Sequence, residues 1–302
     1  SLVAQPELSF AIQTSEPGQK DLLLSYEASN INWQCDYILS LNIAQDKFDL
    51  LGWVTLDNQS GLAFKNTNLK LIAGSVQAGT LPMARMAVLR GEADNFNAAP
   101  VREQAFADYH LYTFPEPISV NNNETKRLIL VDRTEIPVVK KYIFDQQYYI
   151  YTSQKQKVPV QIKLEFKNEE KNKRPLPAGQ VRVYQEDSEG QMQLIGGDLI
   201  AHTPSGEKIT IKLGDAFDVV GEKTHISSEQ TGSRRRKDTY KVIFNNHLNK
   251  DIVVTDVEHI PDLGIFTSDL SFNKINNNTF QYEAKVPSGG TSELTYSVET
   301  RM

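Results

Sequence analysis

A chain of 302 residues with one cysteine and a formal net charge of −6 is long enough for a large core, and by length for two domains rather than one. The single cysteine excludes an intrachain disulfide and a cysteine-rich metal site, and the acidic balance argues against a nucleic-acid binder. No apolar run approaches bilayer-spanning length; DLLLSYEA and KRLILVD are strand-sized, so a soluble chain or soluble fragment is expected. The start, SLVAQPEL, has no charged region followed by an apolar one, so a secretory signal is expected to be absent or already removed.

In chain order, period-two alternation comes first. Trp33, Cys35, Tyr37, Leu39, Leu41 and Ile43 share one face, and the residues between them are polar or small apart from Ile38. That pattern predicts a half-buried strand, because successive side chains point to opposite faces. Trp53 in LGWVTL is expected near the start of the next strand, where it would be exposed. Residues 79–108 are Ala-rich without alternation. Met83, Met86, Ala87 and Arg90 have helical spacing, and Val101, Ala105 and Asp108 suggest a second short turn. This predicts an insertion that is part helix and part mobile loop.

Strands resume at YHLYTF, KRLILVD and VVKKYIFDQQYYIYT, and the polar SQKQK at residues 153–157 is the candidate module boundary. Val160, Ile162, Leu164 and Phe166 form the next alternating run. Thr203-Pro204-Ser205-Gly206 predicts a type I turn, followed by a strand through Ile209, Ile211 and Leu213. Gly214-Asp215 should end that strand, and Phe217 with Val219 should open a new packed face. Arg234-Arg235-Arg236-Lys237 reads as a solvated hairpin tip, with a docking patch for an acidic partner as the alternative.

Three segments repeat one form: Val54-x-Leu56-x-Asn58, Leu164-x-Phe166-x-Asn168 and Val242-x-Phe244-x-Asn246. Asparagine suits a strand exit because its side chain can satisfy turn backbone and because it tolerates left-handed geometry. The repeat suggests more than one sandwich-like unit.

The chemistry-bearing candidates are few. No nucleophile elbow, zincin, phosphate-loop or dinucleotide motif occurs, and His110, His202, His225, His247 and His259 lack metal-ligand spacing. Cys35 shares an apolar face with Trp33 and Tyr37, which predicts a packed, neutral thiol. Asp256, Glu258, His259 and Asp262 are the best metal candidate by residue type, and a solvated strand edge explains them equally well. Ser205 with His202 is the one local nucleophile–base pairing, and both lie in the same tight turn.

Several stretches carry a resemblance to a known family: LLLSYEASNINWQCDYILSL, GWVTLDNQSGLAFKNTNLKLIAG, DYHLYTFPEPISV, the run from Leu176 to Val219, and VPSGGTSELTYSVETR. They resemble the bacterial domain of unknown function 4139, found in mucoidy-inhibitor-like proteins, from about Leu22 to the end of the chain. The resemblance implies β-sandwich modules, an exported protein and no assigned catalytic residues. Relatives often place a smaller β domain and a coiled coil ahead of this region, so the chain is expected either to lack that role or to be a fragment.

The expectation is therefore a mainly β protein of tandem immunoglobulin-like antiparallel β-sandwich modules, residues 1–155 and 156–302, with the insertion around residues 79–108. Catalytic, cofactor and metal residues are expected to be none. The expected function is that of a non-enzymatic periplasmic or secreted envelope protein acting on a protein partner. The alternative is a carbohydrate-binding or carbohydrate-processing module, with the tyrosines of residues 146–152 and an exposed Trp53 as stacking surfaces, Trp33 reading as core.

Overall fold

The computed structural model describes residues 9, 11–74, 101–146, 154–169, 174–261 and 263–301. Among them every regular element is a strand. The first half holds β1 (Ile31–Leu41), β2 (Lys47–Asn58), β3 (Phe64–Thr67), β4 (Lys70–Ala73), β5 (Arg102–Phe106), β6 (Tyr109–Thr113), β7 (Ile118–Val120), β8 (Glu124–Pro137) and β9 (Val139–Gln146). Then come β10 (Gln156–Lys167), β11 (Gly179–Glu186), β12 (Met192–Ile200), β13 (Lys208–Gly232), β14 (Arg235–Asn246) and β15 (Ile252–His259). The last are β16 (Ile265–Thr267), β17 (Asn273–Lys274), β18 (Thr279–Val286) and β19 (Thr291–Arg301). No helix among the described residues is long and apolar enough to cross a membrane.

The mainly β expectation holds. A five-stranded sheet runs β12-β11-β1-β2-β8, and a nine-stranded sheet runs β16-β19-β14-β13-β10-β9-β15-β18-β17. Two small sheets, β3-β7 and β4-β6-β5, accompany them. Two pairings are parallel, β1 with β11 and β9 with β15. The alternation of β1 holds in part: Cys35, Tyr37, Leu39 and Leu41 are buried and Trp33 is half-buried, but Asp36 on the opposite face is buried too, and Ile43, expected on the apolar face, lies past the strand's end and is 75% exposed.

Two apolar cores result. The first gathers Tyr37, Leu39, Phe48 and Leu50 with Leu164, Phe166, Val181 and Ile211. The second gathers Phe144, Val160, Val242, Phe244, Val254 and Tyr296, and β18 comes round to pack on β14 and β19. The sheet thus curls over its own apolar face, the usual way a large sheet hides one side. The expected division at residues 155 and 156 is crossed both ways. β11 and β12 join β1 in the first sheet, while Tyr142 and Phe144 of β9 enter the second core. β10 and β13 serve both cores, Leu164 and Ile211 in the first, Val160 and Val219 in the second.

Four local expectations need correction. Residues 101–106, expected to turn helically, instead hold the strand β5, because Arg102–Phe106 pairs antiparallel with β6; residues 79–100 lie outside the described residues. Gly214-Asp215 does not end a strand. It sits inside β13, at register slips opposite Pro159–Gln161 and Ile162–Lys163, with Gly214 at φ 142°. These slips are β-bulges, which bend a strand without ending it. They also turn Phe217 outward, 94% exposed, where a packed face was expected. Phe217→Ser is accordingly expected to leave the melting temperature unchanged, as surface substitutions usually do. Finally, the turn at residues 203–206 begins one residue late: Glu207 N donates to Pro204 O at 3.4 Å, and Gly206 has φ 85°. A positive φ at the third position belongs to a type II turn rather than type I.

Candidate functional site: a sealed ion cluster and an exposed apolar edge

On β15, Val254, Asp256 and Glu258 share one face, as period two requires. That face is the interior of the second core, not a solvated edge: Asp256 is 0% exposed and Glu258 1%. Opposite them stands Lys223 of β13, 3% exposed, on the inward row that also carries Val219 and Gly221. Lys223 Nζ donates to Glu258 Oε2 at 2.5 Å, and Tyr296 OH donates to the same oxygen at 2.6 Å. The ammonium also faces the rings of Tyr240 and Tyr296, at 5.4 and 5.3 Å from their centroids. Ring faces attract a cation, which offsets part of its lost hydration.

Asp256 has no such support. Neither of its oxygens, nor Glu258 Oε1, takes a hydrogen bond from an amine, amide or hydroxyl, and the one side-chain hydrogen bond of Asp256 is shared with the Glu258 carboxyl. Burial, and then the charge of Glu258, hold the Asp256 carboxyl well above the usual carboxylate range. The core therefore encloses one lysine and two acids, of which Asp256 is the one held in its neutral form. Nearer the tip of the β13–β14 hairpin, Asp238 takes His225 Nε2 at 3.0 Å and Arg236 Nε at 2.8 Å. Arg236 and Arg235, which pairs with Glu299 at 3.3 Å, thus lie within β14, and the tip itself is Ser233-Arg234.

The metal candidate comes apart at this point. His259 points away from Asp256 and Glu258, its Nε2 2.8 Å from Asp145 Oδ1 and its Nδ1 3.3 Å from Thr279 Oγ1. Asp262 lies outside the described residues. Among the described residues no group of three metal-ligating side chains converges. Nor do Ser205 and His202 bond each other: Ser205 Oγ reaches Asn168 O at 3.5 Å, and His202 Nδ1 accepts Ala178 N at 3.0 Å. What the sequence pattern missed was Lys223, whose meeting with the acids depends on the curl of the sheet.

Cys35 is buried, and burial pushes its thiol up to about 12. At neutral pH a native sample is expected to resist a thiol reagent, reacting only after unfolding. Fast native labelling would contradict that packing. Trp53 stands in the middle of β2, not at its start, and Arg127 lies over its ring at 5.5 Å. The tyrosine run at residues 147–152 lies outside the described residues. A groove of about 760 Å³ opens between residues 132–139 and β10, and its Glu165 is already held by Lys141 at 2.8 Å and Lys208 at 3.3 Å.

The clearest outward feature is an edge. β12 ends the five-stranded sheet and exposes Met192, Leu194 and Leu199, the last at 75%. It crosses β13 where Gly196 meets the backbone of Leu213, and Asp198 Oδ2 accepts Lys212 N at 2.8 Å. The two strands run in opposite directions there, so Leu194 and Phe217 lie on the same side of the crossing. No family model matches this chain, and none of the curated proteins is significantly similar to it.

Proposed function

We propose that this chain is a relative of the bacterial domain of unknown function 4139, built from immunoglobulin-like sandwich modules. In this reading it is a non-enzymatic envelope protein, periplasmic or secreted, that acts by protein–protein contact. The observation that supports contact is the exposed edge of β12 together with Phe217. An open edge presents unpaired backbone groups, and apolar side chains beside it supply the burial that makes strand pairing specific. The buried position of Lys223, Asp256 and Glu258 supports the same reading, because a substrate outside the core does not reach them.

The test is capture from an envelope extract by the intact chain and by the variant Leu194→Lys, Leu199→Lys, Phe217→Ser. A defined protein retained by the wild type and lost by the variant, at equal melting temperature, is the expected result. Equal capture by both, or capture by neither, would overturn the proposal.

A further inference from the structure

We propose that Lys223 and Asp256 become joined by an intramolecular amide bond after folding, with Glu258 carrying the proton. The inference concerns the core alone and does not depend on the contact surface. Three observations lead to it.

The first is placement. β13 and β15 are separated in the sheet by β10 and β9, so Lys223 and the acid pair face each other across the interior. They meet only when the sheet has curled. Lys223 Nζ is already 2.5 Å from Glu258 Oε2, and Asp256 stands two residues before Glu258 on the same inward face. Holding the amine and the acid on facing inward rows of one core replaces much of the entropy cost of a bimolecular encounter.

The second is the medium. The amine lies beside the Tyr240 and Tyr296 rings, 5.4 and 5.3 Å from their centroids, and all three ionisable side chains are almost wholly buried. In water an ammonium and a carboxylate do not condense, because each is stabilised in its unreactive ionised form. Burial opposes that preference by penalising charge, and it holds the Asp256 carboxyl in its neutral form.

The third is Asp256 itself. In a fully buried site its oxygens meet no amine, amide or hydroxyl donor, and its one side-chain hydrogen bond is shared with the Glu258 carboxyl. Two carboxyls that face each other in a core are costly, and their presence calls for a reason. Of the two acids, Asp256 is the one held neutral and therefore electrophilic. Glu258, in contact with the ammonium, is the one placed to act as base.

The step balances without a co-reactant. Glu258 takes a proton from the Lys223 ammonium, and the freed lone pair attacks Asp256 Cγ, forming the N–C bond. Glu258 relays a proton from the nitrogen to the hydroxyl of the tetrahedral intermediate, the C–O bond breaks, and water leaves. The products are an amide, one water and a neutral Glu258. The core then holds no charge from these three residues, so the reaction removes the desolvation penalty of the original pair.

The intact mass of the denatured full-length chain tests the bond. The wild type is expected to fall short of its sequence mass by one water, with a branched peptide joining Lys223 to Asp256 after digestion. Glu258→Gln and Lys223→Arg should show their full masses. Asp256→Asn should lose one ammonia instead of water, a readout that stands even if Lys223→Arg fails to fold. A wild-type chain at full mass, a link mapped to another residue, or loss of water by Asp256→Asn would each overturn the proposal.

Discussion

Asn246→Ala is expected to destabilise the second core by roughly 3 kcal/mol, and Asn246→Asp by more. Asn246 is buried at the exit of β14, and its Nδ2 donates to Lys250 O at 2.9 Å, Pro287 O at 2.9 Å and Val286 O at 3.3 Å. Its Oδ1 accepts Leu248 N at 3.0 Å, which makes an Asx turn. Alanine would leave several buried backbone groups unsatisfied, and each such loss costs about 1–3 kcal/mol. Aspartate would turn an acceptor oxygen toward those carbonyls, adding repulsion to the loss. Asn245, next door and half-buried, gives the control: Asn245→Ala should stay within about 0.5 kcal/mol. Denaturant melts decide the matter, and equal midpoints for Asn245→Ala and Asn246→Ala would sink the argument.

The same device recurs where the sequence repeat predicts it. Asn58 at the exit of β2 donates to Leu62 O and Asn121 O, both at 2.8 Å, and accepts Ser60 N at 3.2 Å. Asn168 at the exit of β10 donates to Arg174 O, Thr203 O and Pro204 O, while Arg133 Nη2 donates to its Oδ1 at 3.1 Å. This much was legible because a strand exit and its turn are local in the chain. Only half of the stated reason holds. Asx turns form at Asn58 and Asn246, but none of the three residues uses a left-handed backbone.

What the sequence hid was non-local. The exposure of Phe217 follows from register slips set by β10, a partner about fifty residues earlier, so the alternation of β13 alone gives no sign of it. The side chains of β5 are mostly exposed, so no apolar alternation marks it as a strand, and the spacing of Val101, Ala105 and Asp108 points to a helical turn instead. The inward face of Asp256 and Glu258 has the same cause. Period two says that they share a face, but only the cross-core partner Lys223, 35 residues before Glu258, decides which face. The exchange of β11 into the first sheet depends on a parallel pairing, Cys35 with Gly179, that no adjacent pattern announces.

That pairing carries the second large effect. Gly179→Ala is expected to cost about 3 kcal/mol, near the upper end for overpacking. A Cβ at Gly179 would stand 2.4 Å from Cys35 O and 2.8 Å from Tyr37 Cε2. The carbonyl cannot retreat, because β1 is held on its other side by β2 through Cys35 and Val54. Nor can the ring, since Tyr37 is buried and its hydroxyl donates to Pro177 O at 2.8 Å. Two other glycines separate the causes. Gly206→Ala meets nothing within 4 Å but inherits φ 85°, so it should cost only the backbone strain, about 1 kcal/mol. Gly232→Ala, whose nearest neighbour is Arg235 Cβ at 4.0 Å, should be nearly neutral. The order Gly179, Gly206, Gly232 in thermal melts is the expected result, and a neutral Gly179→Ala would refute the close approach. The consequence reaches the proposed contact surface, because β12 joins the sheet through β11. Gly179→Ala should therefore lose partner capture together with stability, whereas Phe217→Ser lowers capture at an unchanged melting temperature.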